Sequence, residues 1–173
     1  MVLSAIVTEV KNTLVATIKG ADDVLGALRD AVKNQVVGGV RSVGDVVEAA
    51  VTTTSDVGMT LLDSVHSAVG AAISAVSQTG GDIVSAAKDA VSGAVRGAAD
   101  VGGDVGSAAV GAVEEAVKTT GSLGKDTTEV ARETALAAVN TASSLGEEVA
   151  KKVKEALLAA ASLPREVIQS VLG

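Results

Sequence analysis

The sequence repeats with a period of eleven residues from one end to the other, and this period constrains the fold more than any other feature. Five of the eleven positions carry apolar or small residues, and they are the series that begin at Val2, Leu3, Ile6, Val7 and Val10. The chain has 14 Lys and Arg residues and 21 Asp and Glu residues. Of all these charges, only that of Arg29 falls in one of the five apolar series.

A period of eleven residues corresponds to three turns of an α-helix, at about 3.67 residues per turn. On a helix of this pitch the five apolar positions are contiguous and cover roughly 130° of the surface, which is the width of an amphipathic stripe. The alternation of apolar and polar residues that a half-buried strand requires is not sustained over a useful length. The sequence therefore predicts an all-α protein.

The phase of the repeat persists over residues 1–173, so we treat the chain as one repetitive amphipathic region. Because a loop normally shifts the phase, we favour one long helix or a few long helical segments. The alternative is four helices of similar length and a short tail, joined where Gly or Pro interrupts helical propensity. Such breaks or bends are predicted near residues 38–39, 80–81, 121–124 and 162–164.

The apolar stripe must be buried for the helix to form, because the chain contains 19 Gly and many Val, which are weak helix formers. The stripe could cover a lipid or other hydrophobic surface, or pack against copies of itself or another partner, and we expect a homo-oligomer. Its larger members, which we predict to form this lipid-binding or helix-packing face, are Leu3, Val7, Val10, Leu14, Ile18, Leu25, Val32, Val36, Val40, Val43, Val47, Val51, Leu62, Val65, Val69, Ile73, Val76, Val84, Val91, Val95, Val113, Val117, Val139, Val153 and Leu157.

Two pairs of glycines have the four-residue spacing that allows helices to approach closely. These candidates for close packing are Gly93 with Gly97, and Gly102 with Gly106.

The composition argues against catalysis and against several kinds of ligand. There is no Cys and no aromatic residue, the net charge is −7, and His66 is the only histidine. A metal site needs several strong ligands, and bases of single-stranded nucleic acid stack on aromatic side chains. A negative chain also repels phosphate backbones. We therefore predict no enzyme activity, no cofactor, no metal, no nucleic-acid partner and no small-molecule substrate.

The amino-terminal residues lack the basic segment and the uninterrupted apolar run of a secretory signal peptide. No charge-free stretch is apolar enough to predict a membrane-spanning helix. We therefore expect an intracellular protein at the periphery of a membrane, lipid or granule surface.

Segments such as Val91 to Val101, with the sequence VSGAVRGAADV, carry the eleven-residue period on a Val, Ala and Gly face. In this respect nearly the whole chain resembles the amphipathic repeats of perilipins, synucleins and exchangeable apolipoproteins. Group 3 late-embryogenesis proteins share the period. The resemblance implies a coat on a lipid droplet, granule or membrane that becomes helical when it adsorbs.

We expect the chain to be a non-catalytic helical protein that coats such a hydrophobic surface. The first alternative is a self-assembling scaffold, filament or bundle that packs through the Ala, Val and Gly face. The second alternative is a stress protectant similar to the late-embryogenesis proteins, which orders on drying.

Overall fold

A computed structural model describes residue 12 and residues 24–37, 42–55 and 60–173. These ranges are helical and contain no strand, which confirms the all-α class. Eight helices occur in them: α1 (Val24–Val37), α2 (Val43–Ser55), α3 (Leu61–Gln78), α4 (Ile83–Asp100), α5 (Val105–Ser122), α6 (Thr127–Leu145), α7 (Glu147–Ala159) and α8 (Arg165–Leu172).

The eight helices form two layers. Each helix packs against its neighbours in the chain and against the helices two places before and after it. Helices α1, α3, α5 and α7 therefore form one layer, and α2, α4, α6 and α8 form the other. Between helices two places apart, residues nearer the carboxyl end of one helix contact residues nearer the carboxyl end of the other. Gly44 lies against Asp89, and Val51 lies against Gly97. The helices within a layer are consequently parallel, as in a solenoid of stacked helical hairpins.

The turns repeat as regularly as the helices. Helices α3 to α6 begin at Leu61, Ile83, Val105 and Thr127, so each begins 22 residues after the previous one. The turns before α4, α5 and α6 contain glycines with φ values of 73°, 68° and 71°, at Gly80, Gly102 and Gly124 respectively. Each glycine ends a helix in the left-handed conformation, which a residue without a side chain adopts most easily.

The residue after each glycine closes the end of the preceding helix. The backbone N–H of Gly81 donates to the carbonyl of Val76, and that of Gly103 donates to Ala98. Two residues beyond each glycine, an aspartate then starts the next helix. The Asp82 carboxylate accepts from the N–H of Val84 at 3.0 Å, and such a cap stabilises a helix start. One helix and one turn together span two eleven-residue repeats. The eleven-residue period therefore continues without a shift across each turn.

The helical segments are shorter and more numerous than the uninterrupted eleven-residue repeat suggested. Turns lie at 80–81, near 121–124 and at 162–164, where the sequence predicted breaks. Further turns lie at 101–104 and at Gly146, where φ is 150°. The predicted break at 38–39 lies outside the described residues.

The core consists mainly of small side chains. Of the 37 hydrophobic residues in the described ranges that are buried, 20 are Ala and 11 are Val. The larger side chains gather towards the carboxyl-terminal end, where Leu157, Leu163, Ile168 and Leu172 are buried. Small residues allow helix backbones to approach closely, and each of them contributes little buried area.

Candidate functional site

The predicted apolar face lies in the interior of the helical stack. Eleven of its members are buried: Val32, Val47, Val51, Val65, Val69, Ile73, Val91, Val95, Val113, Val153 and Leu157. Others are partly buried: Val36, Val43, Val76, Val84, Val117 and Val139. Leu62 is exposed. Leu3, Val7, Val10, Leu14, Ile18, Val40 and the side chain of Leu25 lie outside the described residues.

The glycine pair Gly93 and Gly97 lies where α4 crosses α2. A methyl group on Gly93 would overlap the carbonyl oxygen of Gly44. A methyl group on Gly97 would lie 2.9 Å from Cβ of Val51 and 3.1 Å from the carbonyl oxygen of Glu48. Both distances are too short for a comfortable contact, so the separation of these two helices depends on the missing side chains.

The second glycine pair is divided between two environments. Gly102 lies in the turn before α5, so it takes no part in a helix–helix contact. Gly106 is buried in α5 and faces α7, where a methyl group on it would lie 3.3 Å from Cβ of Ala156. The four-residue spacing predicted a shared contact, but the 22-residue helix-and-turn unit places the two residues on either side of a helix start.

A cluster of charged side chains lies at the edge of the contact between α2 and α4. Arg96 donates from Nε to Oε2 of Glu48 at 2.6 Å, and its Nη2 lies 3.7 Å from Oδ1 of Asp45. Burial raises the pKa of Glu48, and the adjacent Arg96 opposes this shift. Burial likewise raises the pKa of Asp89. Arg96 thus joins α4 to Glu48 and Asp45 of α2 next to the close glycine contact.

A second polar cluster joins α3 to α5 on the opposite layer. Nδ1 of His66 lies 3.3 Å from Oε2 of Glu115. The hydroxyl of Thr119 donates to Oε1 of the same carboxylate at 3.1 Å, and Nζ of Lys118 lies 3.8 Å from Oε2. The side chain of Glu115 is only 14% exposed. Glu115 is therefore held by three neighbours in a largely enclosed position.

Two glycines make room for this cluster, one on each helix. A methyl group on Gly70 would lie 2.7 Å from Oε1 of Glu115. A methyl group on Gly111 would lie 3.0 Å from Nε2 of His66. The imidazole thus lies over the backbone of α5 and the carboxylate lies over the backbone of α3. This reciprocal arrangement fixes both side chains between the two helices.

A groove of about 520 Å³ runs beside this cluster and spans α1, α3 and α5. Its lining includes His66, Glu115 and Lys118, and Arg29 and Lys33 from α1. Smaller residues of α3 line the groove between these two sets. No groove could be predicted directly from the sequence, because its residues come from three separate helices. One available signal was Arg29, the only charge in the apolar positions of the repeat.

Other features of the described residues concern metals and membranes. No group of three or more His, Cys, Asp or Glu residues in these ranges could hold a metal ion. Within the same ranges, no helix combines the length and apolar character needed to cross a membrane.

No protein-family model matches this sequence, and neither the curated proteins nor the solved structures give a match.

Proposed function

We propose that this chain is a non-catalytic helical-repeat scaffold whose helices pack through their Ala, Val and Gly face. One observation carries the proposal: the stripe predicted to contact another surface is enclosed by other helices of the same chain. Val65, Val69, Val91 and Val95 are fully buried. A scaffold of this kind needs no second molecule to bury its stripe and presents its charged outer surface to partners, including further copies of itself.

A second candidate is a peripheral coat on an intracellular lipid droplet, granule or membrane, and the composition of the core favours it. Ala and Val bury little surface per residue, so separating two helices exposes less apolar area than in a core of Leu and Phe. Each helix is itself amphipathic, so an opened stack would place the same stripe on a neutral lipid surface. The resemblance to perilipins and exchangeable apolipoproteins points to the same behaviour.

The first experiment is far-UV circular dichroism in dilute buffer with and without a neutral lipid emulsion, together with sedimentation velocity and flotation. The scaffold requires high helicity and cooperative thermal unfolding in buffer, without flotation on the emulsion. The coat requires flotation on the emulsion. Low helicity in buffer would contradict the scaffold.

A buried-charge variant tests whether the enclosed stripe holds the fold. Val95→Asp places a carboxylate at a fully buried position, and an unpaired buried charge is strongly unfavourable. Asn140→Asp adds the same charge at an exposed position of α6. The scaffold requires that Val95→Asp abolish cooperative unfolding and that Asn140→Asp leave it intact.

A disulfide lock separates the two candidates directly. In Gly106→Cys/Ala156→Cys the two Cβ atoms would be about 3.3 Å apart, close to the usual separation of about 3.8 Å in a disulfide. The natural chain has no cysteine, so no other disulfide can form. If the stack must open to coat lipid, the oxidised variant will bind the emulsion less than the reduced one. Equal flotation of both forms would contradict coating by separation of α5 from α7.

A further inference from the structure

We propose that the groove lined by Arg29, Lys33 and Lys118 is a binding site for a small oxyanion of the phosphate or carboxylate class. This inference is independent of whether the chain acts as a scaffold or as a coat. It goes beyond the expectation from the sequence, which was that the chain has no small-molecule substrate.

The shape of the groove suits a small molecule. Its volume of about 520 Å³ lies within the usual range for small-molecule sites, about 300–1,000 Å³. Ser67, Gly70, Ala71 and Ser74 line it from α3, and their spacing places them on one face of that helix. The longer side chains come from α1 and α5 on either side. The groove therefore has a floor of short side chains between two walls of long ones.

The charge of the lining favours an anion. Arg29, Lys33 and Lys118 contribute three positive charges, and Asp30 and Glu115 contribute two negative ones. The lining is thus positive in a chain whose net charge is −7. Arginine and lysine are the side chains that proteins commonly use to bind phosphate and carboxylate groups.

The three positive side chains of the groove also differ in whether a carboxylate already lies next to them. Lys118 lies near Glu115, whose oxygens already contact His66 and Thr119. Neither Arg29 nor Lys33 forms an ion pair with any residue in the described ranges. Two cations on the α1 wall are therefore available to a ligand. Ser67 and Ser74 add hydroxyl groups to the floor.

Two unusual residues of the sequence line this groove. Arg29 is the only charge in the five apolar positions, and His66 is the only histidine. Gly111 occupies a position that is polar in neighbouring repeats, with Asp89 and Asp100 before it. As a glycine it lets the His66 imidazole lie against α5. A charge in an apolar position, as at Arg29, is a departure from the repeat, and departures from local rules are expected at functional sites.

His66 provides a direct readout of ligand binding. Because the chain contains no Phe, Trp or Tyr, the imidazole protons of His66 are the only aromatic side-chain protons in its ¹H NMR spectrum. The protein is titrated with inorganic phosphate at fixed pH and constant ionic strength, after exchange of amide protons in D₂O. We expect the His66 resonances to shift and saturate.

A charge-matched pair of variants tests the assignment to the groove. Arg29→Gln/Lys33→Gln removes two charges from the α1 wall, whereas Arg132→Gln/Lys154→Gln removes two exposed charges from α6 and α7. We expect the first variant to raise the Kd for phosphate at least about tenfold, the loss of one good charged contact, and the second to leave it unchanged. Lys118→Gln, on the opposite wall, should also weaken binding while far-UV circular dichroism shows the native helicity.

The titrations and the variants give results that either support or overturn the proposed site. A shift that does not saturate with phosphate or with acetate overturns the site, and so does an equal weakening in both double variants. Saturation with either anion, lost in the Arg29→Gln/Lys33→Gln variant, supports it. The tighter of the two anions then identifies whether the groove prefers the phosphate or the carboxylate class.

Discussion

The glycines in the turns and the glycines in the contact between α2 and α4 belong to one repetitive sequence but serve different physical purposes. Gly80 and Gly102 have positive φ values, and a methyl group on either would have no atom within 4 Å. Gly93 and Gly97 lack a positive φ, but the opposing helix leaves no room for a methyl group. The turn glycines are required for their backbone conformation, and the contact glycines are required for their small size.

This difference predicts a graded response to substitution by alanine. The largest effect is expected for Gly93→Ala, whose methyl group would overlap the backbone of Gly44. Backbone atoms cannot rotate away as a side chain can, so the helices must separate. We expect a loss of about 3 kcal/mol in the free energy of unfolding, at the upper end of overpacking effects. Urea denaturation followed by circular dichroism measures it. Ser92→Ala, in the same turn of α4, serves as the control, and equal stability of the two variants would contradict the close contact.

A smaller loss is expected for Gly102→Ala, where the only penalty is the left-handed backbone with φ of 68°. An alanine in this conformation costs about 1 kcal/mol. Gly102→Asn should lose less, because asparagine adopts the left-handed region more readily. The same urea experiment measures both variants. If Asn and Ala are equally destabilising, the conformation of the turn is not the cause.

Gly106→Ala should change stability least among the three alanine substitutions. Its methyl group would lie 3.3 Å from Cβ of Ala156, which requires only a slight adjustment between α5 and α7. Replacing a helical glycine by alanine also gains about 1 kcal/mol of helix propensity, so the two effects nearly cancel. A thermal melt of Gly106→Ala beside the Gly106→Ala/Ala156→Gly double variant measures the contact. A large loss that the double variant does not restore would show that another contact limits this site.

The smallest effect is the dependence of the capped turns on pH. Hydrogen bonds from the side chains of Ser85 and Ser107 lower the pKa values of Asp82 and Asp104, respectively. A carboxylate with a lowered pKa in the fold stabilises it above the ordinary Asp pKa of about 3.9, and this stabilisation is lost as the pH falls below that value.

The raised pKa values of Glu48 and Asp89 act in the opposite sense, since protonation of either group favours the fold. We expect Asp82→Asn/Asp104→Asn to show a slightly smaller fall in Tm than the natural chain as the pH is lowered from about 5 to below the ordinary Asp pKa of about 3.9, where the stabilisation by these two carboxylates is lost. Both substituted residues retain a side-chain oxygen for capping. Parallel pH profiles for the two proteins would show that these caps do not contribute to acid sensitivity.

The helical class and most of the buried face followed from the eleven-residue period, because the period of an α-helix is local. The number of helices did not follow as readily. One series of the repeat reads Val69, Gly80, Val91, Gly102, Val113, and its alternation marks a unit of 22 residues. In the structure the valines are core residues and the glycines are turns. An uncharged glycine suits an apolar position as well as a turn. The distribution of charges therefore did not distinguish turn positions from core positions within this series.

The polar groove was less predictable than the buried face. Arg29 was visible in the sequence as an exception to the repeat and His66 as the only histidine, but nothing local indicated that they would lie beside one groove. Their proximity depends on α1, α3 and α5 lying side by side in one layer, with α2 and α4 in the other layer. Sequence separations of about forty residues carry no periodic signal of their own.

The sequence by itself determined the helical class and the apolar stripe of the helices, since both depend on interactions within a few residues. Only the tertiary structure decided what covers the stripe and which helices become neighbours. The physical reason is that an apolar face gains similar free energy against lipid, another copy or the next helix. From α3 to α6, the four-residue turns and the shared 22-residue spacing bring the next helices of the same chain into place. The glycines of α4 then set how closely they pack.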